Sequence, residues 1–283
     1  MGIKNKDRFT AGIKTILLCL VAAFPMHVWS WDYSSTGSTT EQNVQLRVGA
    51  DFTKSWRCGV KLSLSEEMRF DLFDEMSGKT AKDVAVDTTF GAAFSKSYTT
   101  LVLSYAPIEY VKFDAGYTLR ILGKKDWSDY NEWLRHRVFF GVTGTYRGQY
   151  VKVYLRERAL CEMRTDSVNL LEKNQYNWLL RSRVGAEFIV PGKPVKPYLW
   201  AELENTLNVP EYQQKDGQQY ISHVRAQVGV KWRVSKLSSL DFYYRFNYGY
   251  NRDINITKSK GNIQLTEERS FNHAIGITYN LDW

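Results

Sequence analysis

The sequence predicts an all-β chain, a transmembrane antiparallel β-barrel of about twelve strands. Three observations carry that expectation. Long segments alternate apolar and polar residues one by one. Aromatic residues make up 14% of the chain, yet its mean hydropathy is only −0.40. The alternation also runs to the last residue, through Ile275, Ile277, Tyr279 and Leu281 to Trp283. Many aromatic and β-branched residues without net hydropathy mark strands that have one apolar and one polar face.

The longest alternation lies at 58–72. Cys58, Val60, Leu62, Leu64, Met68, Phe70 and Leu72 fall on one parity; Lys61, Ser63, Ser65, Glu67, Arg69 and Asp71 fall on the other. Successive side chains of a strand point to opposite faces, so one face is apolar and the other charged. Segments 110–122, 134–147, 176–188 and 220–233 repeat the pattern. Strands in soluble sheets are usually about five or six residues long, whereas a tilted membrane strand needs about 9–11. No long stretch of helical period is present to cover the apolar faces. Those faces are therefore expected to meet lipid and the charged faces a lumen. Closure follows, because hydrocarbon cannot satisfy an open strand edge.

Expected strands lie at 43–53, 56–72, 83–95, 98–106, 110–122, 133–147, 150–164, 175–190, 196–208, 218–234, 239–252 and 269–283, with ten or fourteen strands as alternatives. Segment 83–95 is kept because dropping it leaves an odd number, and single-chain bacterial barrels are usually even. From residue 106 onward, short links alternate with long ones, as periplasmic turns alternate with external loops. The first hairpins break this alternation if both termini are periplasmic.

The N-terminus carries Lys4, Lys6, Arg8 and Lys14 ahead of an apolar run from Ile16 to Phe24. A basic segment followed by a short apolar one reads as a secretory signal, with Ser30 at the cleavage site. The domain reading is a signal peptide at 1–30 and a single outer-membrane barrel at 31–283, of which 31–42 is lead-in. Removing four basic groups and Asp7 with the signal lowers the formal charge from +8 to +5. The remaining charge is spread evenly, which excludes a nucleic-acid patch. Cys58 and Cys161 have no CxxC spacing and read as small apolar side chains.

Chemistry concentrates on the inward parity. Arg47, Arg69, Arg120, Arg135, Arg137, Arg147, Arg156, Arg158, Arg181, Arg183, Arg225, Arg233 and Arg245 fall there, with Glu67, Asp114, Glu187, Glu202, Glu204 and Asp241. Folding each connection about its midpoint sets Arg156 opposite Arg183, Arg158 opposite Arg181, Glu204 opposite Arg183 and Glu202 opposite Arg225. The candidate lumen and ion-pathway residues are Arg137, Arg156, Arg158, Arg181, Arg183, Glu202, Glu204, Arg225 and Arg245. Rings of arginine favour anions. The first functional reading is a narrow, anion-preferring channel for small acidic solutes or acidic sugars. A structural or interaction barrel with a closed, ion-paired lumen is the alternative. Inward Tyr154, Tyr198, Trp200 and Tyr243 suit wall packing or sugar stacking.

An outer-membrane lipid hydrolase is the third reading. The mature chain has His136, His223 and His273, with no His-x-Ser and no G-x-S-x-G elbow. Ser222 and His223 are adjacent and should point to opposite faces, so no catalytic residue is assigned. Asp126, Asp129 and Glu132 read as solvated loop charges rather than calcium ligands, and no cofactor is expected. Glu66, His136, Glu157 and His273 fall on the outward parity, at rims, at bulges or where the parity locally shifts.

Leu64-Ser-Glu-Glu-Met-Arg69-Phe, Asp114-Ala-Gly-Tyr-Thr-Leu-Arg120, Leu155-Arg-Glu-Arg158, Leu180-Arg-Ser-Arg-Val-Gly185, Tyr198-Leu-Trp-Ala-Glu202-Leu, Leu240-Asp-Phe-Tyr-Tyr-Arg245 and Asn272-His-Ala-Ile-Gly276-Ile-Thr-Tyr occur in that order. Together they resemble a family of uncharacterised bacterial outer-membrane barrels, a domain of unknown function, over most of 43–283. The resemblance implies a barrel in a Gram-negative outer membrane and no established reaction. The terminal aromatic strand resembles the signal through which assembly machinery recognises such barrels. A looser likeness, by architecture and lumen charge, is to twelve-stranded channels for acidic oligosaccharides. The partners expected are outer-membrane lipid and small anions, not nucleic acid.

Overall fold

The alternating segments form long strands because each can turn one face outward and one inward along its whole length. The computed structural model describes residues 38–73, 90–123, 133–164, 175–209, 221–257 and 262–283. Residues 1–37, with the expected leader and most of the lead-in, lie outside them, as do Asp126, Asp129 and Glu132.

Eleven strands occur among the described residues: β1 (Ser38–Ser55), β2 (Val60–Phe73), β3 (Phe90–Ile108), β4 (Val111–Leu122), β5 (Leu134–Arg147), β6 (Val151–Arg164), β7 (Tyr176–Phe188), β8 (Val195–Thr206), β9 (Ile221–Arg233), β10 (Ser238–Thr257) and β11 (Asn262–Asp282). Neighbours in sequence pair antiparallel, and β11 pairs β1 to close the barrel. An odd number of strands leaves the first and last running the same way, so this seam is parallel. Its register runs from Ser38↔Glu267 to Thr53↔Asp282.

Eleven strands among the described residues stand close to the expected twelve, and the difference lies in one segment. Residues 98–106 and the end of the expected 83–95 strand belong to the single strand β3, while 83–89 lie outside the described residues. Arg69 pairs Lys96 and Phe70 pairs Phe94, which makes Ser95 the extra residue of a bulge. A bulge inserts one residue and reverses the alternation without turning the chain. Phe94 faces outward on even parity, Leu101 and Leu103 on odd parity. In sequence, that phase change looks like a hairpin.

Merging the two segments restores order to the connections. The short links 56–59, 109–110, 148–150, 189–194 and 234–237 now share one end of the barrel. The expectation that both ends of the barrel chain lie together is corrected: β1 begins at the end carrying the long connections, and Trp283 lies at the other. Residues 253–268, between the last two expected strands, are corrected from a loop to strand where they are described: β10 and β11 pair on beyond the described pairings with β9 and β1, down to Thr257↔Asn262.

Exposure follows the predicted parity. Leu64, Met68, Leu103, Phe113, Phe140, Val142, Trp178, Val184, Val228, Phe242 and Ile275 are all exposed on the outer face. Exposed apolar residues thus recur on the outer face from β2 round to β11, and a contiguous apolar surface of this kind marks a face that meets something other than water. Trp56, Tyr110, Tyr150, Trp232 and Trp283 flank it at the short-turn end, and Trp133 and Tyr176 at the other.

The four polar residues of outward parity all keep that side, and each meets a donor or acceptor on the next strand. Thr99 Oγ1 donates to Glu66, and Ser182 Oγ donates to Glu157 at 2.7 Å. Tyr117 Oη lies 2.5 Å from His136 Nδ1, and Tyr244 Oη lies 2.6 Å from His273 Nδ1. The bulge at Ser95 accounts for the change of phase in β3, so none of the four marks a shifted parity.

Inside, aromatic rings lie flat against the opposite strand wherever that strand supplies glycine. Tyr154, Tyr198 and Tyr243 stand directly opposite Gly185, Gly229 and Gly276. A Cβ at Gly276 would come within 2.1 Å of the Tyr243 ring, so no other residue leaves that space. Phe139, Leu160 and Leu179 form a second inward apolar cluster.

Ser182→Ala is expected to lower stability by about 1–3 kcal/mol, because it strips the hydrogen bond from a carboxylate on an apolar surface. Glu157 Oε1 is already without a partner. Urea unfolding of the refolded barrel measures the change, and an unaltered midpoint would mean that water satisfies Glu157.

Candidate functional site

The lumen holds a cavity of about 910 Å³. Its wall is built by the inward parity of the strands, and cross-strand register decides which charges meet. Arg156 stands opposite Arg183, Arg158 opposite Arg181 and Glu202 opposite Arg225, as the sequence predicts. One pairing differs. Glu204 faces Arg181, and Arg183 faces Glu202. The chain reverses at Pro191-Gly192, where Gly192 has φ of 69° and Lys193 N–H donates to Val190 O at 3.2 Å. Proline then glycine at the two central positions suits a type II turn. The hinge therefore sits ahead of the midpoint of the link. The shift is two residues in register, so every side chain keeps its face.

Five carboxylates organise the charges. Glu202 accepts from Arg183 Nη2 at 2.6 Å, Arg225 Nη1 at 2.9 Å and Arg156 Nη2 at 3.2 Å. Glu204 accepts from Arg181, from Arg225 Nη1 at 3.0 Å and from His223 Nδ1 at 3.0 Å. Arg225 thus bridges the two. Glu67 lies 2.6 Å from Arg69, 3.7 Å from Arg47 and 3.9 Å from Arg245. Glu162 holds Arg137, with Arg135 at 3.4 Å and Arg120 at 3.6 Å.

Asp114, 1% exposed, is reached by Arg158 Nη2 at 2.6 Å and Nε at 2.8 Å. These two residues are not on adjacent strands. Arg158 on β6 crosses β5 over Gly141, its direct neighbour, to reach β4. A Cβ at Gly141 would lie 2.7 Å from Arg158 Cγ and 3.1 Å from Asp114 Oδ2.

The nine candidate residues therefore do not form one belt. Arg156, Arg181, Arg183, Arg225, Glu202 and Glu204 share one network; Arg158, Arg137 and Arg245 belong to the Asp114, Glu162 and Glu67 clusters. Arg147 and Arg233 are exposed at the short-turn rim and join none of these clusters. Sequence reasoning missed Glu162. Its parity was legible, since it follows Arg156, Arg158 and Leu160 in steps of two, but the Leu160-Cys161 pair masks the alternation there.

In these contacts eleven arginines share five carboxylates. Asp51, Glu66, Asp71, Asp241 and Glu268 also line the cavity, as do Lys96 and Arg164, and basic groups remain in excess. Asp71 accepts from Gln45 at 2.9 Å, and Asp241 accepts from Tyr198 Oη at 2.9 Å. Aromatic faces carry part of the remaining charge. Arg183 lies 3.8 Å from the centre of the Trp200 ring, and Arg158 lies 4.3 Å from that of Phe139. The inward aromatics therefore pack against glycine and arginine along the wall.

Ser222 and His223 do not point to opposite faces. Glu204 pairs His223 and Asn205 pairs Ile221, which leaves Ser222 as a bulge residue. His223 Nδ1 then lies 3.3 Å from Ser222 Oγ and 3.0 Å from Glu204 Oε1. One ring nitrogen meets both groups. A nucleophile relay needs the hydroxyl on one nitrogen and the acid on the other, so Ser222 is not placed as a nucleophile. Among the described residues no group of three or more His, Cys, Asp or Glu is arranged to hold a metal. Cys58 is exposed, Cys161 is buried, and both are free.

Gly141→Val is expected to displace Arg158 from Asp114 and destabilise the barrel by about 3–5 kcal/mol, the cost of breaking a buried pair. Gly144→Ala, at a site with nothing within 4 Å of the added carbon, is expected to change stability by no more than about 0.5 kcal/mol. Denaturant unfolding of both variants in the same detergent tests the contrast.

No curated protein matches the chain. A family model described as a protein of unknown function, DUF2490, matches residues 59–257. That span covers β2 to β10 whole, and so takes in Glu67, Asp114, Glu162, Glu202 and Glu204. A closed barrel with an ion-paired lumen, matched over most of its length, makes this chain a member of the DUF2490 family, an uncharacterised family of β-barrel proteins.

Proposed function

We propose that the chain is an outer-membrane barrel whose cationic lumen passes small acidic solutes. The outer apolar band, its flanking aromatic residues and the closed sheet are what a hydrocarbon environment demands of a strand-built protein. The basic and then apolar N-terminal segment supports export. The lumen reading rests on one observation, the eleven arginines that share five carboxylates. Arginines beyond the number of nearby acids raise the concentration of anions in a narrow cavity and repel cations.

A second reading is a barrel closed by its own charges. It is favoured by the fact that each of these eleven arginines reaches a carboxylate within 4 Å. In that case the networks knit the wall together, and function lies at the surface.

Planar-bilayer conductance under a salt gradient separates the two. The refolded chain is expected to carry a current whose reversal potential shows anion preference. Arg156→Gln/Arg183→Gln leaves Glu202 with Arg225 alone and should move the reversal potential towards zero. Folded protein that carries no current would remove the passage and leave the closed barrel.

A further inference from the structure

The surplus charge is not uniform. Two clusters hold three arginines to one carboxylate: Arg47, Arg69 and Arg245 about Glu67, and Arg120, Arg135 and Arg137 about Glu162. They meet at Tyr98, an inward residue of β3 that stands opposite both Glu67 and Arg120. The Arg69 guanidinium lies 4.1 Å from the centre of the Tyr98 ring and that of Arg120 lies 5.6 Å from it. Arg69, Arg120, Arg135, Arg137 and Glu162 come from strand positions towards the long-connection end.

Arg120 is the least satisfied of the group. Its contact with Glu162, at 3.6 Å, is an ion pair longer than a hydrogen bond, and its Nε is buried without a partner. Arg137 commits one nitrogen to Glu162, while its Nε is also buried without a partner. Buried donors of this kind are costly when left unmet. The Arg120 and Arg137 side chains, 18% and 13% exposed, line the same cavity as Tyr98 and Glu162, and a small rotation of either guanidinium would turn its Nε edge to an anion there.

We infer that Arg69, Arg120 and Arg137, set around Tyr98 and Glu162, form a binding site for a compact dianionic oxyanion, a phosphate group borne by a small solute. Arg120 and Arg137 keep donors that Glu162 does not take, and a guanidinium matches two oxygens of such a group. Arg69, whose Nε and Nη2 both lie 2.6 Å from Glu67 Oε1, adds positive charge beside the Tyr98 ring and can exchange Glu67 for the ligand. The three arginines about Glu67 leave a formal surplus of two positive charges, and Arg120 and Arg137 exceed Glu162 by one, so the groups around Tyr98 favour a dianion over a monocarboxylate. Glu162 occupies part of the site as an internal competitor, holding the arginines in place when it is empty. The inference deepens the anion-passage reading by naming the group recognised, but the site binds whether or not the lumen conducts.

Isothermal titration of the refolded full-length chain in detergent with inorganic phosphate tests it, with acetate as the monoanion comparison. Phosphate is expected to bind, and acetate to bind about tenfold or more weakly. Arg120→Gln and Arg69→Gln should each weaken phosphate about tenfold or more, since a charge-assisted hydrogen bond is lost. Arg57→Gln, in an exposed turn at the opposite end, should leave binding as it was. Glu162→Gln should tighten phosphate, whereas a purely structural cluster would lose binding along with its carboxylate. Should Arg120→Gln fail to refold, Arg120→Gln/Glu162→Gln removes one charge of each sign and should still weaken phosphate relative to Glu162→Gln alone. No binding by folded wild-type protein, or binding indifferent to Arg120, overturns the site. Binding without current keeps the site and removes the passage; current without binding does the reverse.

Discussion

A sheet of long strands survives only if its edges are removed, and here that depends on the seam between β1 and β11. Each open edge would present a row of unpaired N–H and C=O groups. Ten antiparallel pairings among eleven strands leave the two edge strands parallel, so closure needs the slanted ladder that parallel strands form. The last residue takes part in it. Trp283 N–H donates to Thr53 O at 2.9 Å, and Ser55 N–H donates to Trp283 O at 3.1 Å. Once the ring is closed, alternation leaves every second side chain with no choice but the lumen.

The chemistry of the lumen follows from that confinement. A charge inside a narrow wall needs a partner, and the arginines outnumber the carboxylates that face them. Sharing is the solution: Glu202 and Glu204 take three basic groups each, with Arg225 common to both. Glycine makes the sharing physically possible. The missing side chain at Gly141 lets Arg158 cross a whole strand, and those at Gly185, Gly229 and Gly276 let tyrosine rings lie flat and leave space for the guanidinium groups. Where sharing is stretched furthest, around Glu162, donors are left over, and the same shortage that strains the wall creates a place for an external anion.

The outer face obeys the same rule in reverse. Glu66, His136, Glu157 and His273 would be expensive against an apolar surround, and each is met from the neighbouring strand by Thr99, Tyr117, Ser182 or Tyr244. These four outward polar groups all occur as cross-strand pairs. No single strand reveals this, because the two members are separated in sequence by 19 to 33 residues.

By itself the sequence determined the fold class, the parity of the strands and hence the residues that face the lumen, because a period of two is a property of each strand alone. It also carried three of the four facing pairs about the Arg156–Arg183 network, since a hairpin link constrains its own register. Tertiary structure decided the rest. The number of strands turned on whether the phase change at Ser95 was a turn or a bulge, and only pairing with β2 distinguishes them. The partner of Glu204 turned on a hinge at Gly192. The hubs at Asp114, Glu162 and Glu67 join side chains from strands that are not consecutive in the chain. Such contacts depend on ring closure and on the reach of arginine over glycine, and neither has a local signature in sequence.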